Sequence, residues 1–147
     1  MSYNVVTMEI SNETKGLLVK EAVKALDNRY PKNASFAYSA AVLTSLGNIY
    51  SASNYGSATA SLTLHAEQSV LAHAAAHGEG DILAIAIGST EELTRGTFTP
   101  PCHMCKQLLW ESHLNSKEPM LVILTNQHGE TKEIDLLEMM PFPWPSE

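Results

Sequence analysis

The sequence predicts an α/β fold, on three observations. Helix-like and strand-like segments alternate along the chain. Two apolar runs, 82–88 and 120–125, have the length and continuity of strands buried on both faces. The segment 64–77 is Ala-rich, contains no Pro or Gly, and ends at Gly78 as a helix ends. Helices interleaved with strands bury their apolar faces on a shared sheet, which gives the α/β class.

The elements follow in order. Ser11 is placed to cap a helix running to about Asn28, whose apolar face is Leu18, Ala22, Val23, Ala25 and Leu26. Tyr30, Pro31, Lys32 and Asn33 break it. Residues 36–43 read as a strand, Leu46, Gly47 and Asn48 as a hairpin turn, and 49–53 as the returning strand. A polar loop over 54–63 leads to the 64–77 helix and then the 82–88 strand. A second loop, 89–101, ends in Pro100 and Pro101 and delivers a helix over 102–113. The 120–125 strand, a turn at Gln127, His128 and Gly129, and an edge strand over 130–134 follow. A short helical turn over 136–140 precedes a tail containing Pro141, Phe142, Pro143 and Trp144. No internal repeat or linker interrupts this order, so residues 1–147 read as a single domain.

Composition narrows the function. The 147 residues carry nine Lys and Arg against sixteen Asp and Glu, a formal net charge of −7, and no basic cluster. Nucleic-acid binding displaces counterions from phosphates and needs a basic stripe, so no nucleic-acid polymer is expected as partner. No apolar run is long enough to span a bilayer, and no basic flank followed by an apolar stretch marks a signal peptide. The expectation is a cytoplasmic protein with no membrane partner.

Two sites draw attention. His65-Ala66-Glu67 opens one predicted helix, and Pro101-Cys102-His103-Met104-Cys105 opens another. Cys102 and Cys105 are the only cysteines, and their spacing alone fits a metal site or a redox pair equally. Catalytic zinc takes three N and S donors and leaves a fourth position open. His65, Cys102 and Cys105 supply that set, for one zinc per chain. Helix N-termini favour thiolates, the form that binds zinc. Glu67, two residues past His65 at about 100° per residue, points away from the histidine direction. It therefore suits a proton shuttle and not a fourth ligand. The paired pattern H-x-E and P-C-x-x-C is that of zinc deaminases acting on nucleobases.

These stretches, with Ser35-Phe36-Ala37-Tyr38-Ser39-Ala40-Ala41-Val42-Leu43 and the later Glu138-Met139-Met140-Pro141, resemble the cytidine deaminase family over nearly the whole chain. The resemblance implies a three-layer α/β/α fold with a mixed five-stranded sheet. It implies zinc-dependent hydrolysis of a free cytosine nucleoside, cytidine or deoxycytidine, to uridine or deoxyuridine plus ammonia, as in pyrimidine salvage. It implies Phe36 as a wall of the base pocket, Asn54 as a ribose contact, the backbone around Ala66 as reader of the cytosine carbonyl, and Pro101 as a further substrate contact. It also implies a homotetramer or homodimer whose subunits share active sites.

Three departures from the family pattern stand out. Gly56 occupies the position of an acid that grips a ribose hydroxyl, and no acid occurs between Asn48 and Ala66. His103 and Lys106 replace the family's Gly and Arg after the two cysteines. Gly56 leads to an expectation of weak discrimination at the sugar hydroxyl. It also keeps open a second substrate class, a modified cytosine nucleoside or blasticidin S-like antibiotic. A noncatalytic zinc or redox domain is the third reading, against which Glu67 stands. Simpler roles are expected for the remaining candidates. His73 and His77 read as partly exposed helix residues, His113 and His128 as solvated, Trp110 as core or interface, and Glu91 and Glu92 as solvated loop. For Phe36, plain core packing remains the alternative to a pocket wall.

Overall fold

The structure, a computed structural model, describes residues 9–147. Helix α1 spans Asn12–Ala25 and tightens into a 3-10 turn at Leu26–Asn28; strand β1 is Tyr38–Thr44 and β2 is Ile49–Ser53. Helix α2 is Ala66–Ala76, β3 is Ile82–Ser89, α3 is His103–Ser116, β4 is Leu121–Thr125 and β5 is Thr131–Asp135. All eight predicted elements are present, and every main boundary lies within three residues of its expected position.

The Ser11 hydroxyl accepts from the Thr14 N–H and starts α1, as its residue type predicts. Lys117, in the left-handed region at φ 60°, ends α3. Gly78, also at positive φ, follows the end of α2, a conformation that costs glycine no side-chain clash.

One five-stranded sheet runs in the order β2-β1-β3-β4-β5. Only β3 and β4 are parallel; the other three pairings are antiparallel, which makes the sheet mixed. The parallel pair needs a crossover, and α3 supplies it.

The central strands are apolar throughout because both faces are covered. Ala40, Val42, Ile85, Ile87, Val122 and Leu124 pack under Ala66, Val70 and Ala74 of α2 and Leu109 of α3. The alternate residues Ala41, Leu43, Ala84, Ala86 and Ile123 pack under Leu18 and Ala22 of α1. The period of two thus divides the core into two layers, and α/β/α layering follows. Val23, expected on the buried face of α1, is 47% exposed; Leu18, Ala22 and Ala25 alone face inward. Trp110 is buried, and its indole N–H donates to the Pro145 carbonyl. His113 is not solvated: its Nδ1 contacts the Glu118 carbonyl at 2.7 Å and only 13% of its side chain is exposed. Among the described residues no helix is long and apolar enough to cross a membrane.

The α1 layer is built on close approach. The buried Ser39 hydroxyl donates to the Ala22 carbonyl of α1. Gly88 pairs with Ser39 across β1 and β3, and a Cβ at Gly88 would collide with the Ser39 Oγ. Gly88→Ala is therefore expected to destabilise the fold by about 1–3 kcal/mol through overpacking. Thermal unfolding should show a melting temperature lower by roughly 2–12 °C; an unchanged midpoint would mean that Ser39 can move away.

Candidate metal centre and active site

Strands β3 and β4 end on the same edge of the sheet, and the crevice outside such carboxyl ends is where open α/β sheets bind ligands. Both motif-bearing helices begin there. His65 is the N-cap of α2 in extended conformation, and its backbone N–H donates to Gln68 Oε1 at 2.8 Å, closing the first turn. Cys102 is the N-cap of α3, and Cys105 lies in the first turn, buried.

The result is a convergence of donors from two helices far apart in the chain. His65 turns its Nδ1 to within 3.3 Å of both the Cys102 and the Cys105 sulfur. The three ligand atoms lie within 4.8 Å of one another, the one such cluster found among the described residues. Glu67, only 7% exposed, brings its Oε2 to 3.5 Å from the Cys105 sulfur. Burial, then the Glu67 charge, then the Cys102 sulfur push the Cys105 thiol far above its ordinary range. A buried thiolate beside a buried carboxylate is costly without a cation. Donor types, their spacing and this surplus of negative charge all fit a zinc ion held by His65, Cys102 and Cys105, with Glu67 outside the ligand set.

Beside the cluster lies a cavity of about 390 Å³. Its buried end is formed by Ala66 and Glu67, with His65 and Cys102 beside them. Phe36 lines it and is 62% exposed, so it is a pocket wall and not core packing. Asn54 lines it too. Its Oδ1 accepts from the Tyr38 N–H at 3.0 Å, which fixes the amide and leaves Nδ2 free to donate. Pro101 is buried and does not line the cavity; its neighbour Pro100 does.

Four further lining residues went unnoticed in the sequence: Tyr38, Thr63, Ile87 and Thr99. Tyr38 had a legible signal, since it follows Phe36 by two residues and shares its face. The two rings meet edge to face at 6.4 Å. Burial, then Glu91 and Glu67, raise the Tyr38 phenol above its usual pKa. Gly56 does not line the cavity. Its N–H donates to the Tyr30 carbonyl at 2.6 Å, and a Cβ there would meet Pro31 and Tyr30 at 3.2 Å. Position 56 is thus occupied by local packing and opens no extra room for a sugar.

Zinc uptake must displace the Cys105 proton, since the ligand is the thiolate. Burial holds that proton on more tightly than usual in the metal-free site, so affinity rises with pH across neutrality. Competition against a chromogenic chelator at pH 6, 7 and 8 should show the zinc affinity rising at least about tenfold per pH unit. A flat profile would exclude Cys105 as a ligand.

Comparison with known proteins agrees with this geometry. The model of the cytidine and deoxycytidylate deaminase zinc-binding region matches residues 12–118. The chain is 30% identical over 125 residues to a cytidine deaminase of Halalkalibacterium halodurans, covering 85% of this chain and 89% of that one. It is also 30% identical over 124 residues to a cytidine deaminase of Sporosarcina psychrophila, covering 84% and 86%. The crystal structure of a cytidine deaminase from Burkholderia pseudomallei superposes with a TM-score of 0.76 at 26% identity, over 92% of this chain and all of that one. With its His65, Cys102 and Cys105 cluster in the matched region, the chain belongs to the cytidine and deoxycytidylate deaminase family and is a zinc-dependent aminohydrolase.

Proposed function

We propose that the protein deaminates a free cytosine nucleoside, cytidine or deoxycytidine, to uridine or deoxyuridine and ammonia. The observation that carries this reading is the buried Glu67 carboxylate in the cavity beside the metal cluster. A structural zinc site or a redox pair needs neither a proton carrier nor a cavity. The cavity lining also separates nucleoside from nucleotide. It contains no Lys or Arg, while Glu67 makes it acidic. A phosphate would enter with no cation to meet it, so the neutral nucleoside is the better match.

Zinc, when bound, lowers the pKa of water to about 7 and so supplies a nucleophile at neutral pH. The protein's own groups do the rest. Glu67 takes a proton from the attacking water and delivers it to ring N3, while the oxygen adds to C4. The same carboxyl group then moves the proton of the new C4 hydroxyl to the amino group, the C4–N bond breaks as the C4=O carbonyl forms, and ammonia leaves. The Ala66 N–H, in the first turn of α2, has no partner within the helix and is available to the base carbonyl. Phe36 covers a face of the base, and Asn54 Nδ2 donates to a sugar oxygen.

The tail supports an assembly of several chains. The Trp144 and Pro145 carbonyls accept from Gln107 Nε2 and Trp110 Nε1, both at 2.8 Å, which fixes the tail on α3. Yet the Phe142 side chain is fully exposed and Trp144 is 77% exposed. Fixed, exposed aromatic rings mark an interaction surface, and the family resemblance makes a homotetramer the expected occupant.

Purified zinc-loaded protein should release ammonia from cytidine or deoxycytidine and leave the corresponding monophosphates nearly untouched. Glu67→Gln should retain its zinc and lose about 10²–10⁴-fold in kcat. Failure of the wild type to deaminate either nucleoside would refute the reading, and full activity of Glu67→Gln would remove Glu67 from the mechanism. Light scattering at micromolar concentration should give the mass of four chains; a 16.0 kDa particle would reject the assembly.

A further inference from the structure

Glu91 stands two residues past the end of the β1–β3 register. Tyr38 pairs with Ser89 across β1 and β3. One residue on, Thr90 and Ala37 exchange hydrogen bonds: the Thr90 N–H donates to the Ala37 carbonyl, and the Ala37 N–H donates to Thr90 Oγ1 at 2.8 Å. Ile87 and Ser89 share one side of β3, and Ile87 lines the cavity. Glu91 stands in the exposed loop that follows, within reach of the cavity wall through Thr99.

Its contacts there are specific. The Thr99 hydroxyl donates to Glu91 Oε2, and the Glu91 N–H donates to Ser89 Oγ at 2.9 Å. Thr99 lines the cavity. Glu91 has no cationic partner among the described residues, so its charge is not consumed by an ion pair. A hydroxyl has one proton. With that proton given to Glu91, Thr99 Oγ1 keeps its lone pairs as an acceptor on the cavity wall, made more negative by the carboxylate it donates to. The carboxylate itself keeps lone pairs free for a second donor.

We propose that Thr99, backed by Glu91, is the acceptor for a hydroxyl on the sugar end of the substrate. The inference rests on the nucleoside reading above. The base is held at the buried end by Glu67, so the sugar extends away from it along the wall that Thr99 lines. Gly56 supplies no acid for that hydroxyl; the acid comes instead from the 89–101 loop. Thr99 is the contacting residue, and Glu91 is a positioning residue that fixes the direction of the Thr99 proton.

The test measures discrimination and not merely affinity. Cytidine, 2′-deoxycytidine and 3′-deoxycytidine are titrated calorimetrically into zinc-loaded Glu67→Gln protein, which binds without turnover. One deoxy analogue should bind more weakly than cytidine by about 10- to 100-fold, the range for losing a hydrogen bond to a charged acceptor. Adding Thr99→Val or Glu91→Gln should collapse that ratio toward one, whereas Thr99→Ser should preserve it. A purely structural role would weaken all three ligands alike and leave the ratios standing. Unchanged ratios in Thr99→Val, or no hydroxyl preference in the parent, would overturn this inference alone. No binding of cytidine at all would overturn it together with the nucleoside reading.

Discussion

Two helix N-termini must meet at one point, and the rest of the molecule is arranged around that requirement. His65 and Cys102 each stand at an N-cap, and their donor atoms approach to 3.3 Å although the residues lie on different helices. Such a meeting needs both helices to start from the same edge of the sheet. Strands β2 and β3 provide it, since each runs antiparallel to β1 between them and both therefore end on that edge, where α2 and α3 begin. The all-apolar central strands follow from the same demand. A sheet covered by α2 and α3 on one face and α1 on the other has no solvent face in its middle. The small residues Ala41, Ala84, Ala86 and Gly88 let α1 approach closely. The core is therefore not a generic support; its alternation of small and large side chains fixes where the helices begin.

Charge then determines what the meeting point can hold. Burial, then the Glu67 carboxylate and the Cys102 sulfur a few ångströms away, push the Cys105 thiol well above its ordinary range without a cation. A divalent ion reverses that balance. The helix N-termini add positive potential from free N–H groups, so they favour thiolates and the Glu67 carboxylate alike. The same economy of charge explains the cavity: with the acid already inside and no Lys or Arg on the walls, the site favours a neutral ligand.

The sequence was most informative where chemistry requires rare residues at fixed spacing. His65, Glu67, Cys102 and Cys105 could be read because a metal with an open position needs few donor types, and this chain has only two cysteines. The eight elements could be read because periods of 2 and 3.6 separate cleanly in apolar segments such as 82–88. Legibility declined where a residue's role depends on a neighbour distant in the chain. Gly56 supplies no acid after Asn54, and what the sequence hid is that its N–H is committed to the Tyr30 carbonyl and that a Cβ there would crowd Pro31 and Tyr30. Glu91 is the exposed loop acid that its sequence suggests, and what nothing local reveals is that the Thr99 hydroxyl donates to it. His113 looked exposed near a helix end, and only the returning backbone at Glu118 buries it.

The 89–101 loop carries this last point furthest. Its residues 90–101, twelve without regular structure, would ordinarily be a flexible connection, but this one is tied down from outside. Gln127 Nε2 donates to the Leu93 carbonyl at 2.6 Å, and the Gly96 N–H donates to Glu130 Oε2 at 2.8 Å. Asn126 Nδ2 reaches both Glu130 and the Thr97 carbonyl. Hydrogen bonds from Asn126 and the Gly96 N–H hold the Glu130 carboxyl below its ordinary range, so it stays an acceptor through neutral pH. The β4–β5 turn thus clamps the middle of the loop, Thr90 clamps its start, and α3 clamps its end at Cys102. What remains between the clamps is the short span that faces the cavity. A substrate-recognising wall held this way loses little entropy when a ligand arrives, because its order is already set in the free protein. The turn sequence Asn126-Gln127-His128-Gly129-Glu130, remote from the metal in every linear sense, is by this route part of the apparatus that shapes the pocket.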